Sequence, residues 1–281
     1  MRSAMYPLFR PVIAFLALAC LSLSAPMSHA AERDKLEAFL TVTGFDVALD
    51  SIALSAESAP DMLGMSSSDF GESWSAMAAQ VFSQKIVHGM ALDMLENTLS
   101  DELLAHGAEF YASPLGQRLV AVENASHMAD DDAKSEDGDA LIAEFENDNP
   151  SRLQILKELN SAVDSGDHGV RAIQEIQVRF LMAASNAGVL DGEIDEAALR
   201  AIMKENAAGL RESIEESSLA SAAYTYKEMS DDDLADYVIA LSDPRMQQVY
   251  ELMNAIQHEV MANRFEALAE RMAGAVQGQE L

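Results

Sequence analysis

The chain has 281 residues, 49% of them apolar, with 47 acidic against 18 basic side chains and a net charge of −29. A field of that sign repels phosphate backbones and anionic headgroups, which argues against nucleic acid as a partner. Cys20 is the single cysteine, so no internal disulfide is available and the fold must rest on its core.

Residues 1–30 read as a leader. Arg2 and Arg10 precede the apolar run Val12–Leu23, and Ser28-His29-Ala30 supplies small residues where a signal peptidase cuts, before Ala31. The run is too short to span a bilayer, and no later segment offers about twenty uninterrupted apolar residues. Leu16-Ala17-Leu18-Ala19-Cys20 weakly resembles a lipoprotein box, but Ala17 stands where that box has a larger aliphatic residue. The expected address is therefore the periplasm or the exterior, without a lipid anchor.

Alanine, leucine, methionine and glutamate dominate the rest, which favours helices over strands. A first helix is expected over Arg33–Leu49, broken near Thr43-Gly44, followed by a looser connection from Ser55 to Gly71. Glu72–Thr98 reads as one helix, since Trp74, Met77, Ala78, Val81, Phe82, Ile86, Met90 and Met94 recur at three- and four-residue steps.

The segment Leu99–Ala125 then reappears, without a gap, 130 residues later as Met229–Ala255, with eight identical positions. Ser100 and Ser230 are expected N-caps with acidic first turns, and Ser230 with Asp233 approximates a capping box. Ser113-Pro114 and Asp243-Pro244 each place a capping side chain before a proline that suits the first helical position. Each copy therefore reads as a short helix, a tight corner and a longer helix. The last helix is expected to run from Pro244 to about Met272, with Met246, Val249, Met253, Val260 and Leu268 inward.

Met128–Asn149, rich in aspartate, reads as a solvated linker with a short helix near Ala140–Phe145. Helices follow over Ser151–Val163 and Val170–Ala187, separated by a turn at Ser165–Gly169, and another begins near Asp195. The division expected is a leader at 1–30, a first half at 31–127, an acidic linker at 128–150, a second half at 151–275 and a frayed tail at 276–281. The fold class is all-α: two related helical halves forming a bundle.

Ser100, Asp101, Leu103, Phe110, Tyr111, Ser113, Pro114, Gly116 and Gln117, with the upstream Leu36–Gly44 segment, resemble the bacterial exported-protein family catalogued as domain of unknown function 2059. The resemblance implies an all-helical envelope protein and no particular activity. The second copy departs from the pattern, with Ala240, Leu241 and Met246 in place of the phenylalanine, tyrosine and glycine.

Familiar catalytic patterns fail on named residues. His258-Glu259 would open a zinc-protease motif, but Ala262 stands where the second histidine belongs. Ala133 and Ala187 occupy the first-ligand positions of the calcium-like Asp137-Gly138 and Asp191-Gly192. Gly64–Ser68 lacks the final glycine of a nucleophile elbow, and there is no P-loop or dinucleotide glycine pattern. His88, His106, His127, His168 and His258 share no register between the copies. The methionines, including Met62, Met65, Met90 and Met94, read as core filler rather than copper ligands.

No catalytic residue, metal ligand or cofactor is therefore expected. One corner, Tyr111, Ser113, Pro114 and Gly116, is a possible interaction site. Its capping serine and proline are shared by both copies in type and so read as scaffolding first. The function expected is a non-enzymatic interaction or binding module of the cell envelope, presenting an apolar groove to a protein or small-molecule partner. The alternative is an envelope hydrolase or metal-dependent enzyme, which would need two or more buried carboxylates converging with a histidine.

Overall fold

The computed structural model describes residues 27–163, 168–190 and 192–279. The leader's apolar run, Cys20, the Ser165–Asp167 turn and Asp191 lie outside the described residues. Every regular element among them is helical: α1 Met27–Thr43, α2 Phe45–Ser51, three 3₁₀ turns at Ile52–Ser58, Pro60–Leu63 and Ser67–Ser73, α3 Trp74–Val81, α4 Gln84–Thr98, α5 Asp101–Tyr111, α6 Pro114–His127 and α7 Asp131–Asp148. The chain continues through α8 Pro150–Val163, α9 His168–Asn186, α10 Glu196–Glu205, α11 Ala207–Thr225, α12 Asp231–Leu241 and α13 Pro244–Gln279. The expected all-α class is what the protein adopts.

Helix α13 is the mast of the molecule. Its 36 residues reach roughly 54 Å at 1.5 Å per residue. Met246, Val249, Met253, Ile256, Val260, Phe265, Leu268 and Met272 are buried along it, including all five of the positions expected inward. The helix continues past Met272 to Gln279, beyond the expected end. Phe265 receives Phe180 of α9 and Phe82, both edge-on with ring centroids 5.5 Å apart. Arg179 of α9 straddles Glu259 and Glu266 at 2.8 and 2.6 Å, pinning the two helices along their rim.

The break at Gly44 is a backbone requirement. Its φ of +74° lies in the left-handed region, which glycine enters without a Cβ penalty. The chain turns by 79° between Glu32–Thr43 and Phe45–Ser58. Leu36, Phe39, Leu40, Leu49 and Ile52 from the two arms enter the core. No single helix among the described residues is long and apolar enough to cross a membrane.

Two expected elements differ. Glu72–Thr98 is two helices, because Ser83 takes an extended ψ of 136°. The offset lets Phe82 reach Phe265 and turns Val87, Ala91, Leu92 and Leu95 inward. Ile86, expected on the buried face, is left 38% exposed. The aspartate-rich segment is likewise no loose linker. Asp130 caps Ala133 N–H, and α7 then runs unbroken for 18 residues. Its Gly138 lies so close to α11 that a Cβ there would collide with the Ala220 backbone.

Candidate functional site

The two corners are built by local hydrogen bonds. Ser100 Oγ accepts from Leu103 N–H at 3.3 Å, and Ser230 Oγ from Asp233 N–H at 3.1 Å. Ser113 Oγ accepts from Gly116 N–H at 3.1 Å, and Asp243 Oδ1 from Arg245 N–H at 2.8 Å. The expected capping box at Ser230 is not closed: the Asp233 carboxylate takes Arg118 of α6 at 2.6 Å instead, since an arginine is the stronger donor.

At the first corner the four singled-out residues take different places. Ser113 and Pro114 start α6. Gly116 is pressed against the α5 backbone, where a Cβ would strike the Phe110 carbonyl and Tyr111 Cα. Tyr111 turns inward, 3% exposed, so the corner itself does not present its hydroxyl to solvent.

That hydroxyl instead joins an internal polar cluster. Tyr111 Oη bonds Tyr250 Oη, Tyr250 lies 2.5 Å from Tyr237 Oη, and Tyr237 donates to Glu123 Oε1 at 3.0 Å. Tyr226 donates to the same oxygen at 2.7 Å. A phenol has one proton to give, so with Tyr237 committed to Glu123, Tyr250 donates to Tyr237 and Tyr111 to Tyr250. Five elements converge here: α5 and α6 supply Tyr111 and Glu123, while Tyr226 at the end of α11, α12 and α13 supply the other phenols.

Burial sets the electrostatics of the cluster. It pushes the Glu123 carboxyl above its ordinary range, outweighing the two phenols that favour the ionised form. Burial also pushes all four phenols upward, with the Glu123 charge adding to the effect. The tyrosines therefore stay protonated as donors, holding an acid whose second oxygen, Oε2, meets no donor from the described residues.

Glu123 keeps some accessible surface because it borders a cavity of about 1300 Å³. Residues from α2, α6, α7, α8, α9, α11 and α13 line it. Its walls are apolar at Phe45, Ala48, Leu159, Val163, Val170 and Met253, and polar at Asn124, Asn160, Asn254 and Gln257. His127 also lines it, its basicity lowered by burial and then by Lys134. This is not the apolar groove expected, because an acid and phenols occupy part of its wall. Asp131, Glu215 and Glu216 also line it but are exposed, so Glu123, among phenols, is the one carboxylate of the wall drawn inward. No group of three or more His, Cys, Asp or Glu suited to a metal occurs among the described residues.

Glu123, Tyr226, Tyr237 and Tyr250 belong to no motif that the sequence offers. The alignment of the copies does carry a signal. Tyr111, Glu123, Tyr237 and Tyr250 stand opposite Leu241, Met253, Gly107 and Val120. The shared positions make caps, corners and core, and the cluster is assembled from positions that differ.

A family profile described as "Uncharacterized protein conserved in bacteria (DUF2059)" matches residues 86–144, in agreement with the resemblance read from the first corner. The matched stretch includes Tyr111, Glu123 and most of α7, and leaves Tyr226, Tyr237 and Tyr250 outside. No curated protein and no solved structure matches the chain.

Proposed function

We propose that this protein is a non-enzymatic binding module of the cell envelope that holds a small molecule in the 1300 Å³ cavity beside Glu123. The observation that carries the reading is the pairing of apolar wall with a preorganised acid–phenol cluster. A mostly apolar cavity with a few convergent polar groups is the usual form of a small-molecule site. The space is an open-mouthed cleft whose floor holds the buried cluster and whose rim is formed by α7, α8 and α11. Export rests on the leader at 1–30, with Ala31 as the first residue of the mature protein.

Two measurements test the reading. Protein recovered from the periplasmic fraction should begin at Ala31 by intact mass. Under native mass spectrometry it should carry a stoichiometric small molecule that is lost on denaturation. Val163→Trp, which fills the cavity wall, should remove that adduct while the fold persists by circular dichroism. Protein found only in the cytosol with residue 1 retained would overturn the address. Protein that always runs at its apo mass, with a melting temperature indifferent to envelope metabolite extract, would overturn the binding role.

A further inference from the structure

Several partly exposed carboxylates of this protein have a basic partner. Asp231 has Arg152, Glu266 has Arg179, Glu96 has Arg33 and Asp50 has His88. Glu123 differs from these: among the described residues its contacts are the phenols of Tyr226 and Tyr237, both on Oε1, and no cation. Other charges on the cavity wall roughly balance. Lys134 is neutralised by Asp131 at 2.6 Å, and Lys157 and Arg211 share the wall with Glu215 and Glu216. None of these cations stands at ion-pair distance from Glu123.

Four phenol rings and one acid, with one acid oxygen free beside a cavity, form a site that lacks a donor. Asn124, which also lines the cavity, has its Oδ1 buried with no donor from the described residues. A ligand that brings N–H groups and a positive charge supplies the donor that the free acid oxygen lacks, and charge-assisted hydrogen bonds are about twice as strong as neutral ones. The net charge of −29 also draws cations towards the molecule. An anionic head group would meet Glu123 with like charge, and an alcohol would leave the charge unmatched.

Building on the ligand-cavity reading, we propose that Glu123 receives the protonated primary amine of an amphiphilic ligand, whose apolar part lies against Ala48, Val163 and Met253.

The test compares octylamine, 1-octanol and octanoate by isothermal titration calorimetry at neutral pH, on the full mature chain and on Glu123→Gln. Glutamine keeps an oxygen for the two phenols and removes the charge, so the variant should fold, as its circular dichroism and melting curve will check. Val163→Trp, which fills the cavity wall and leaves the acid in place, serves as a second variant should Glu123→Gln fail to fold: it should abolish octylamine binding, and undiminished binding to it would mark adsorption to the acidic surface and overturn the proposal. Octylamine should bind the wild type with one-to-one stoichiometry, at least about tenfold more tightly than the alcohol. Octanoate should bind most weakly, and Glu123→Gln should bring amine and alcohol to parity. The amine proposal is overturned when alcohol or octanoate matches the amine on wild type, or when Glu123→Gln retains the preference, the signature of adsorption to an acidic surface. Binding by none of the three probes overturns the cavity reading itself, a result distinct from loss of the amine preference.

Discussion

At the scale of single residues, Glu123 makes the chemistry of this molecule pH-dependent in a defined sense. Its folded carboxyl is harder to ionise than the ordinary value of 4.5. Below that value the group is protonated in both folded and unfolded chains and has no effect on the pH dependence. As pH rises past it, the unfolded chain ionises freely while the folded one resists, so the unfolded state gains relative to the native state. Glu123 therefore removes stability with rising pH, from about the unfolded value until the folded carboxyl has itself ionised. Asp231 and Glu175, held below the usual carboxylate range by arginine and amide partners, slope the other way, so the comparison must be made against a variant. Unfolding free energies of wild type and Glu123→Gln, measured by urea titration between acid and neutral pH, should diverge in favour of the variant as pH rises. Parallel curves would mean that the carboxyl is not withdrawn from water in the folded protein.

Among elements, the corners were readable because caps and N1 prolines act within three residues of themselves, and Ser100, Ser113 and Ser230 do what their local chemistry dictates. The α13 stripe was readable because a 3.6-residue period survives any choice of partner. The cluster around Glu123 was not, since the hydrogen bonds that reach Glu123 join residues more than 100 positions apart. Helix α7 was expected only over Ala140–Phe145, for another reason. Its exposed aspartates dominate the composition, and Gly138 resembles a breaker, although that glycine is what admits α11. Gly138→Ala gains about 1 kcal/mol of helix propensity, yet it drives a methyl group into the Ala220 backbone. Overpacking of this kind costs about 1–3 kcal/mol, and because the obstacle is backbone the upper part of that range applies. Urea titration should show a net loss of about 1–2 kcal/mol, whereas a gain in stability would show that the helix pair yields freely.

The join between α8 and the α11–α12 turn depends on one buried arginine. Arg152 donates to the Tyr226 carbonyl at 2.6 Å and the Met229 carbonyl at 3.1 Å, bonds Asp231, and lies over the Phe145 ring at 5.2 Å. Arg152→Met preserves much of the stem but leaves the two carbonyls without that donor. Each such group costs about 1–3 kcal/mol when buried, so a loss of about 2–4 kcal/mol in urea titration is expected. Asp231 is more than a third exposed on its side chain, where water screens the pair, and Asp231→Asn should cost under about 1 kcal/mol. Equal losses from the two variants would transfer the weight from the carbonyls to the ion pair.

For the whole molecule, the question is whether the two helix–corner–helix blocks unfold apart. The core argues that they do not. A single continuous cluster of buried side chains runs from Leu36 and Phe39 through Leu156 and Phe180 to Met272. Helix α13 crosses it, contributing Tyr250 to the phenol cluster and Phe265 to the rings at the other end. Melting either end alone would require α13 to fray through its own buried stripe, and Arg179 and Phe180 tie that stripe to α9 on the way. Trp74, the only tryptophan, is buried against Phe70 and reports on one end by fluorescence. The tyrosines report on the other by near-ultraviolet circular dichroism, and the far-ultraviolet signal averages over all helices. Chains of this length often populate intermediates, so coincidence is a demanding outcome. The three urea transitions should nevertheless share one midpoint, because α13 packs on α3, α4, α5, α8, α9 and α12, and neither the Trp74 end nor the tyrosine end can open without exposing the surface it covers. A tyrosine transition well separated from that of Trp74 would mean that the blocks are independent units that merely share a helix.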